Sequence, residues 1–274
     1  MSTDKPTGVD TYNATIERIE SVADGLSIFF IRPDAPIPGR QPGHYVSIGL
    51  VGPDGKKLIR RAYSLSQSLG PAIDPDLLEL LIIRVPEGHL TPILFEQGEG
   101  DRLFVKPKMV GTYLLPELHP EMTIILTSTG TGVAPHMTML ETCVKTCKQV
   151  VMMECVRYGA ELAYADQIRG FQETHPNLVY ISLVTREGGP KRYIQDYFRD
   201  GILAMEHGVA ITPENTHVFA CGNPAMIGIP KGDRKTGHLR YEIPGGLVEI
   251  LTTQYGLGIH KARQPGQIHF EKYW

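Results

Sequence analysis

The chain has 274 residues, of which 42% are hydrophobic and 21% are charged, and its formal net charge is -3. This composition is typical of a soluble, turn-rich globular protein and excludes a disordered or fibrous chain. The small net charge, with no basic or aromatic-basic stripe, argues against a nucleic-acid partner. A single hydrophobic core seldom grows much beyond about 250 residues, so the length predicts two domains.

Targeting signals and cysteine spacing narrow the setting further. The first residues, MSTDKPTGVD, lack a secretory signal, and no run approaches about 20 apolar residues, so we expect a cytoplasmic protein without a membrane span. The cysteines match neither zinc nor iron-sulfur spacing, so we expect reduced thiols and no metal site. These cysteines are Cys143, Cys147, Cys155 and Cys221.

Up to about residue 118 the chain consists of short β-type runs separated by glycine, proline and aspartate. Six such runs are NATIERIESV, LSIFFIRP, HYVSIGLV, LIRRAYSLS, LLELLIIRV and DRLFVKP. Strands at this spacing, with turn residues between them, predict an antiparallel barrel or sandwich. Between the last two runs, PEGHLTPILFEQG predicts a short helix with Thr91 as its N-cap and Pro92 at its first position.

From residue 119 the pattern changes to apolar strand, glycine turn and helix, repeated along the chain. The strands are TIILTST, QVVMMECVRY, NLVYISLVTRE and THVFACGNPAM, with the helices GAELAYADQIRGFQE and RYIQDYFRDGILA between later ones. A polar, glycine-rich loop precedes a final helix, LVEILTTQYG. Such alternation predicts right-handed βαβ units on a parallel sheet. We therefore expect two domains, residues 1–118 and 119–274.

The turn STGTGVAP, from Ser128 to Pro135, follows the first strand of the second domain and opens a helix. Ligands of parallel sheets bind beyond the carboxyl ends of the strands. Glycines allow a close backbone approach, and a helix N-terminus offers unpaired N–H groups to an anion. The turn differs from G-x-G-x-x-G, and such a turn alone is as often structural as functional.

Three arginines stand after strands of the predicted sheet. Arg157 follows the second strand, Arg186 follows the third, and Arg192 stands six residues further on. Guanidinium groups suit a phosphate dianion, such as the 2′-phosphate that distinguishes NADP from NAD. Each arginine alone fits a solvated surface, whereas the three together favour a phosphate site.

Aromatic and polar groups at two further places fit a flat ligand. RAYS, from Arg61 to Ser64, offers a cation, a phenol and a hydroxyl on one strand. The helix start in GHLTPIL can hold a pyrophosphate. The aromatic pair Tyr273 and Trp274 either docks into a crevice of the protein itself or covers a planar ligand.

Taken in order, seven motifs resemble those of the ferredoxin–NADP+ reductase family, in particular its bacterial branch. They are RAYS, PEGHLTPIL, STGTGVAP, RYGAEL, VTRE, CGNPAM and EKYW. The resemblance spans nearly the whole chain. It implies an antiparallel β-barrel that binds FAD over residues 1–118 and an α/β parallel-sheet domain that binds NADP over 119–274, with the tail returning to the FAD.

The resemblance also implies which residues hold FAD. Arg61 would bind its phosphates, Tyr63 would cover one face of the isoalloxazine ring, and Ser64 would hydrogen-bond near N5. Tyr273 would cover the other face and Trp274 would stack on a folded-back adenine. The remaining residues expected at FAD are Ala62, Leu80, Ile82, His89, Leu90, Thr91 and Thr131.

For NADP(H), the resemblance implies that Arg157, Arg186 and Arg192 bind the 2′-phosphate and that Cys221 shapes the nicotinamide slot. Because Tyr273 covers the ring face that nicotinamide needs, it would move aside at each turnover. The residues counted as catalytic are Tyr63, Ser64, Cys221 and Tyr273. The remaining residues expected at NADP(H) are Thr129, Gly130, Thr185, Gly222 and Asn223.

The implied function is hydride exchange between NADP(H) and FAD, with single electrons passing to or from ferredoxin or flavodoxin as a transient partner of a monomer. One alternative is an NADH-dependent flavin reductase of the same fold that serves an oxygenase or a cytochrome. Another is a nucleotide-binding module without redox activity. One group of basic residues is either a docking site for an acidic carrier or a solvated face: Lys56, Lys57, Arg60, Lys106 and Lys108.

Overall fold

The computed structural model of the chain describes residues 11–66, 74–189, 191–232 and 239–273. It divides into two compact units, the first comprising Met1–Leu115 with Ala134–Met139 and the second Pro116–Val133 with Leu140–Trp274. The assignment of residues 1–118 and 119–274 to separate cofactors stays a prediction. In the part of the chain that the structure describes, no helix is both long and apolar enough to cross a membrane.

Six strands make up the sheet of the first unit, and all six expected runs form them. They are β1 (Ala14–Ala23), β2 (Leu26–Pro33), β3 (Tyr45–Val51), β4 (Leu58–Ser64), β5 (Leu78–Ile83) and β6 (Arg102–Val105). Their order across the sheet is β4-β3-β6-β1-β2-β5, and each pair is antiparallel.

The two edges of this sheet meet just beyond β4. There the backbone N–H of Ser66 donates to the carbonyl oxygen of Glu79 on β5 at 3.0 Å. Alternate residues of the strands, including Ile16, Phe29 and Ile48, point inward and form one buried apolar cluster. The first unit is therefore a barrel, as the sequence predicts.

The expected short helix is present as α1 (Thr91–Leu94), but its start differs from the prediction. Leu90 occupies the N-cap position and Thr91 is the first helical residue. The Thr91 hydroxyl accepts a hydrogen bond from the Val85 N–H at 2.9 Å and donates one to the Val85 carbonyl at 3.2 Å. The prediction of Thr91 as N-cap is therefore wrong, because its hydroxyl binds the start of the preceding loop instead of the helix.

The second unit is built on a five-stranded parallel sheet. Its strands are β7 (Thr123–Thr129), β8 (Gln149–Val156), β9 (Leu178–Val184), β10 (Thr216–Gly222) and β13 (Ile268–Lys272). Their order is β13-β10-β7-β8-β9. The chain thus moves outward from β7 to β9 and then returns to the other side of β7. With right-handed crossovers, this reversal places the helices on both faces of the sheet.

Helices occupy the connections between these strands. They are α2 (Val133–Thr146), α3 (Ala165–Thr174), α4 (Ile194–Arg199), α5 (Ile202–His207), α6 (Pro224–Ile227) and α7 (Leu247–Gln254). The single helix expected over RYIQDYFRDGILA is two helices, because Gly201 adopts a left-handed conformation with φ 68° and interrupts the hydrogen-bond pattern. Buried residues of α4 to α7 pack against one face of the sheet in a common core.

Three strands of the second unit go beyond the expected ones. The polar loop after α6 contains a short antiparallel pair, β11 (Lys231–Gly232) and β12 (Leu239–Arg240). Near the end of the chain, β13 pairs in parallel with β10. The sequence predicts four strands in this sheet and not this fifth one, because IHFEK offers only two apolar residues, Ile268 and Phe270, in its alternation.

Candidate functional site

The point at which the strand order reverses lies between β7 and β10 of the second unit. In open parallel sheets, ligands bind beyond the carboxyl ends of the strands at this topological switch point. The turn Gly130–Gly132 follows β7, and Cys221–Asn223 lies where β10 ends. The structure therefore brings the two segments that the sequence predicts as nucleotide-binding to one place in the sheet.

The two strand ends pack closely against each other through backbone atoms and the Thr129 side chain. The Thr129 hydroxyl accepts a hydrogen bond from the Asn223 N–H at 2.7 Å. Gly222 has φ 124°, and a Cβ atom there would lie 2.3 Å from Thr129 Oγ1 and 2.6 Å from the Thr129 carbonyl oxygen. A Cβ atom on Gly132 would lie 2.3 Å from the carbonyl oxygen of Cys221. Both glycines are required by this close approach.

The turn after β7 leads directly into α2 and places the positive end of the helix at the switch point. Gly132 is the N-cap of α2 and supplies no side-chain cap, and the first turn contains no acidic residue. Gly130 is exposed with φ 52°, while Thr131 is buried. The N-terminus of this 14-residue helix carries a partial positive charge, which suits a phosphate, while the Val133 N–H is already bonded to the carbonyl oxygens of Gly130 and Thr131 in the turn.

Two of the three predicted arginines are joined through their backbone beyond β8 and β9. Thr185 N–H donates to the Val156 carbonyl at 3.0 Å, and Arg186 N–H donates to the Arg157 carbonyl at 2.9 Å. Both arginine side chains are exposed. Arg192 lies before α4, and its guanidinium is 3.7 Å from Glu206 of α5. The structure thus brings Arg157 and Arg186 together, while the placement of Arg192 at the same phosphate stays a prediction.

The Arg157 guanidinium is held by one carboxylate. Its Nε and Nη2 atoms donate to Glu161 Oε1 at 2.9 and 2.6 Å. The other carboxylate oxygen, Oε2, accepts the Arg157 backbone N–H at 3.0 Å and the Tyr158 N–H at 3.4 Å. Burial makes the largest single contribution to the pKa of Glu161 and raises it, but the hydrogen bonds together outweigh burial, so this pKa is lowered. The hydrogen bond to Glu161 raises the pKa of Arg157. The remaining N–H groups of Arg157 stay available for a ligand.

Beside the end of β10, the structure places a thiol, a carboxyl group and a phenol. Cys221 is fully buried, and this burial raises the pKa of its thiol well above the usual value. Glu271 is the residue opposite Cys221 in the parallel register, and burial raises the pKa of its carboxyl to about 7. Its Oε2 atom is buried and has no hydrogen-bond partner among the described residues. Tyr273 N–H donates to the Gly222 carbonyl at 3.0 Å.

In the first unit, the predicted FAD residues of RAYS form the end of β4. By register, Arg61 and Tyr63 lie opposite Ile48 and Val46 and share their face, whereas Ala62 and Ser64 share the other face. Arg61 and Ala62 are exposed, Tyr63 is half-buried and Ser64 is buried. Desolvation raises the pKa of the Tyr63 phenol to about 12, so it stays neutral and keeps its donor proton.

The remaining predicted FAD residues differ in what they can offer. The side chains of Leu80 and Ile82 belong to the barrel core, so on β5 a ligand contact falls to the backbone or to other residues. Leu90 is also a core residue, while His89 is exposed and Thr91 is buried. Trp274 lies outside the described residues. None of these placements tests the cofactor contacts themselves, which stay predictions.

Three glutamates of the second unit were missed from the sequence: Glu161, Glu187 and Glu271. Glu161 and Glu187 each stand within four residues of a predicted arginine, so proximity to opposite charge was an available signal. Glu271 gave no such signal, because its burial depends on the unpredicted strand β13. The four cysteines are buried free thiols.

Comparison with known proteins agrees with this architecture. A family model described as "Oxidoreductase NAD-binding domain" matches residues 126–231. A ferredoxin–NADP reductase of Pseudomonas aeruginosa is 34% identical over 78% of this chain and 86% of its own length. The chain belongs to the ferredoxin–NADP reductase family.

Further members of the ferredoxin–NADP reductase family support this relationship. The flavodoxin/ferredoxin–NADP reductase of Escherichia coli is 28% identical over 80% of this chain and 87% of its own length. A ferredoxin NADP+ reductase from Neisseria gonorrhoeae, solved with bound FAD and NADP, shares the fold with a TM-score of 0.77 at 21% identity. That alignment covers 96% of this chain and 98% of the other, so both units are included.

Proposed function

We propose that the chain is a flavoprotein oxidoreductase that exchanges hydride with NADP(H) at FAD and single electrons with ferredoxin or flavodoxin. The observation that carries the proposal is the switch point between β7 and β10, where Gly132, Gly222 and the N-terminus of α2 form a close-packed turn. The family of the chain and the names of its relatives support the choice of cofactors.

The residues present fit both cofactors. The N-terminus of α2 and the paired Arg157 and Arg186 supply the donors and positive charge that a phosphorylated dinucleotide requires. In the barrel, Arg61 offers an exposed guanidinium and Tyr63 a half-buried ring with a neutral phenol. Bound FAD supplies the hydride and one-electron chemistry, whereas the protein supplies binding and orientation.

The chain's own polar groups have distinct tasks in this proposal. Ser64 offers a hydroxyl for a ring nitrogen, as the family resemblance implies. Cys221 shapes the nicotinamide pocket without acting as a nucleophile, because burial keeps its thiol protonated. Glu271 has a pKa of about 7 and can hold or release a proton at neutral pH beside Cys221. Tyr273 and Trp274 are proposed as flavin and adenine covers.

The proposal is tested by purifying the protein and measuring its flavin and its nicotinamide preference. We expect yellow protein that contains FAD, and a kcat/KM at least about tenfold higher with NADPH than with NADH when ferricyanide is the acceptor. Protein that cannot bind FAD after reconstitution would contradict the oxidoreductase assignment. Faster reduction by NADH would instead favour the flavin reductase that serves an oxygenase or a cytochrome.

The finer points of the assignment concern the physiological partner and setting. We propose ferredoxin or flavodoxin as the transient electron carrier, a monomeric enzyme and a cytoplasmic location. Stopped-flow reduction of purified ferredoxin and flavodoxin from the same cells tests the first point. Sedimentation equilibrium of the FAD-loaded protein tests the second, and fractionation of the cells tests the third.

A further inference from the structure

The two loops that carry Arg157 and Arg186 are joined by a side chain as well as by backbone. Glu187, the residue after Arg186, accepts the backbone N–H of Gly159 on its Oε1 atom at 2.7 Å. Gly159 lies two residues after Arg157 and opens the turn Gly159–Glu161. The hydrogen bond from Arg186 N–H to the Arg157 carbonyl lies beside this contact. The two segments are therefore joined by backbone hydrogen bonds of Thr185 and Arg186 and, further along both loops, by the side chain of Glu187.

From this arrangement we infer that Glu187 is a positioning residue that sets the preference of the enzyme for a 2′-phosphorylated nucleotide. This inference rests on the proposed function. Glu187 holds the loop after β8 against the loop after β9, and so limits how far the backbones that carry the two guanidinium groups can move apart. A phosphate dianion needs both groups at one spacing, whereas a ribose without the 2′-phosphate does not.

Glu161 fixes the orientation of the Arg157 side chain. It holds the guanidinium through Nε and Nη2 and the backbone of the same residue through Oε2. With Glu161 orienting its side chain and Glu187 holding its loop, Arg157 loses less conformational entropy when the phosphate binds. The hydrogen bond between Glu187 and Gly159 also restrains the backbone of Arg186, because Arg186 directly precedes Glu187 in the chain.

The negative charge of Glu187 acts in the opposite direction from its hydrogen bond. A carboxylate near a bound dianion repels it, and the strength of this repulsion falls with salt. The two effects can be separated because glutamine keeps a side-chain oxygen for the Gly159 N–H and removes the charge. If the hydrogen bond is the important contribution, glutamine preserves selectivity and alanine removes it.

The test measures nucleotide binding directly, with adenosine 2′,5′-bisphosphate and AMP titrated into the FAD-loaded protein by calorimetry. We expect Glu187→Ala to weaken binding of the bisphosphate about tenfold, the size of one hydrogen bond to a charged group, and to leave AMP binding within about twofold. Glu187→Gln should bind the bisphosphate at least as tightly as the unchanged protein. KM for NADPH should rise in Glu187→Ala with kcat unchanged.

A second variant disturbs the same contact from the other loop. A Cβ atom on Gly159 would lie 3.3 Å from Glu187 Oε2, so Gly159→Ala pushes on the carboxylate. We expect a loss of bisphosphate affinity smaller than that of Glu187→Ala. Glu173→Ala, which replaces an exposed glutamate on α3, is the matched control and should change neither affinity.

The outcomes separate this inference from the proposed function. Unchanged bisphosphate affinity in Glu187→Ala, or an equal loss in Glu187→Gln, would overturn the positioning role while leaving the enzyme assignment intact. If the unchanged protein itself binds the bisphosphate no more tightly than AMP, the NADP preference in the proposed function is wrong. Tenfold selectivity that disappears in Glu187→Ala and persists in Glu187→Gln supports both.

Discussion

At the scale of single residues, the site depends most on Gly222. Its φ of 124° is a conformation that L-residues rarely adopt, and the space for a Cβ atom is already filled by Thr129. The sequence pointed to CGN as a nucleotide-contacting segment but gave no reason why the middle residue must be glycine. That reason is tertiary, since it comes from a strand about 90 residues away in the chain.

The first residue-scale prediction concerns this position. Gly222→Ala should lower the free energy of unfolding by about 2 to 4 kcal/mol, because backbone strain adds to a clash with backbone atoms. Chemical denaturation followed by circular dichroism measures the change. Gly208→Ala is the matched control, since Gly208 has φ 65° and open space around its Cβ position. Equal losses in the two variants would show that the clash with Thr129 contributes nothing.

At the scale of elements, patterns of regular period were predicted and irregular ones were not. The six barrel strands and β7 to β10 have β-branched or apolar runs that survive a reading of the sequence alone. The residue type of Thr91 predicts an N-cap, but its hydroxyl hydrogen-bonds to the backbone of Val85. No local sequence pattern reveals this contact. Strand β13 pairs with the edge of β10, and its two strand-favouring residues, Ile268 and Phe270, are too few to predict it from the sequence alone.

Strand β13 also brings together a stack of histidines at the end of the sheet away from the switch point. The His269 ring lies 4.3 Å from that of Phe219 and 4.4 Å from that of His260, and its Nε2 atom is 3.0 Å from His217 Nδ1. Burial lowers the pKa of His269 to about 3, with smaller contributions from His260 and His217. Burial likewise lowers the pKa of His217, with added effects of His260 and His119.

The element-scale prediction follows from these lowered pKa values. Between pH 6.5 and about 3, the unfolded chain takes up a proton at His269 that the folded chain does not, so stability falls as the pH falls. Between pH 7 and pH 4.5, the free energy of unfolding should fall by about 2 to 3 kcal/mol less in His269→Gln than in the unchanged chain. Urea denaturation at several pH values measures it. The same slope in His269→Gln as in the unchanged chain would contradict the prediction.

At the scale of the whole molecule, the sequence predicted both folds and the family. It could do so because short periodic strands and βαβ units are local patterns, and the motif order is fixed along the chain. Which charges pair could not be predicted, since Arg157 with Glu161 and Gly159 with Glu187 depend on loop conformations. The charge distribution on a surface is predicted only in part. The sequence gives the number of charged residues, but the strand order decides which of them are neighbours.

In the barrel, several basic side chains come from neighbouring strands. Arg60 on β4 lies opposite Gly49 of β3, and its guanidinium is 5.9 Å from the ring centroid of Phe104 on β6. Lys56 and Lys57 lie in the loop that joins β3 and β4. Lys106 and Lys108 follow β6, and all five basic side chains are exposed. Lys106 N–H donates to the Ser47 carbonyl near the start of β3, whereas Lys56 and Lys57 lie beyond its other end, so a docking face for an acidic carrier stays a prediction.

The prediction at this scale is a loss of carrier coupling upon charge reversal. Lys56→Glu with Lys57→Glu should slow reduction of an acidic ferredoxin about five- to tenfold at low salt, and the difference should shrink in about 0.5 M salt. Ferricyanide reduction by NADPH should be unchanged. Lys148→Glu, at an exposed lysine of the second unit, is the control. A rate that is independent of these charges at every salt concentration would assign them to a solvated face.

The contact between the ends of β7 and β10 limits how this protein can be redesigned. Shortening the Thr129 side chain would not admit any other residue at position 222, because the carbonyl oxygen of Thr129 would still lie 2.6 Å from a Cβ atom there. No compensating exchange of side chains is therefore possible between these two strands. An engineer can vary the arginines to change the preferred nucleotide, but must keep this glycine in every variant.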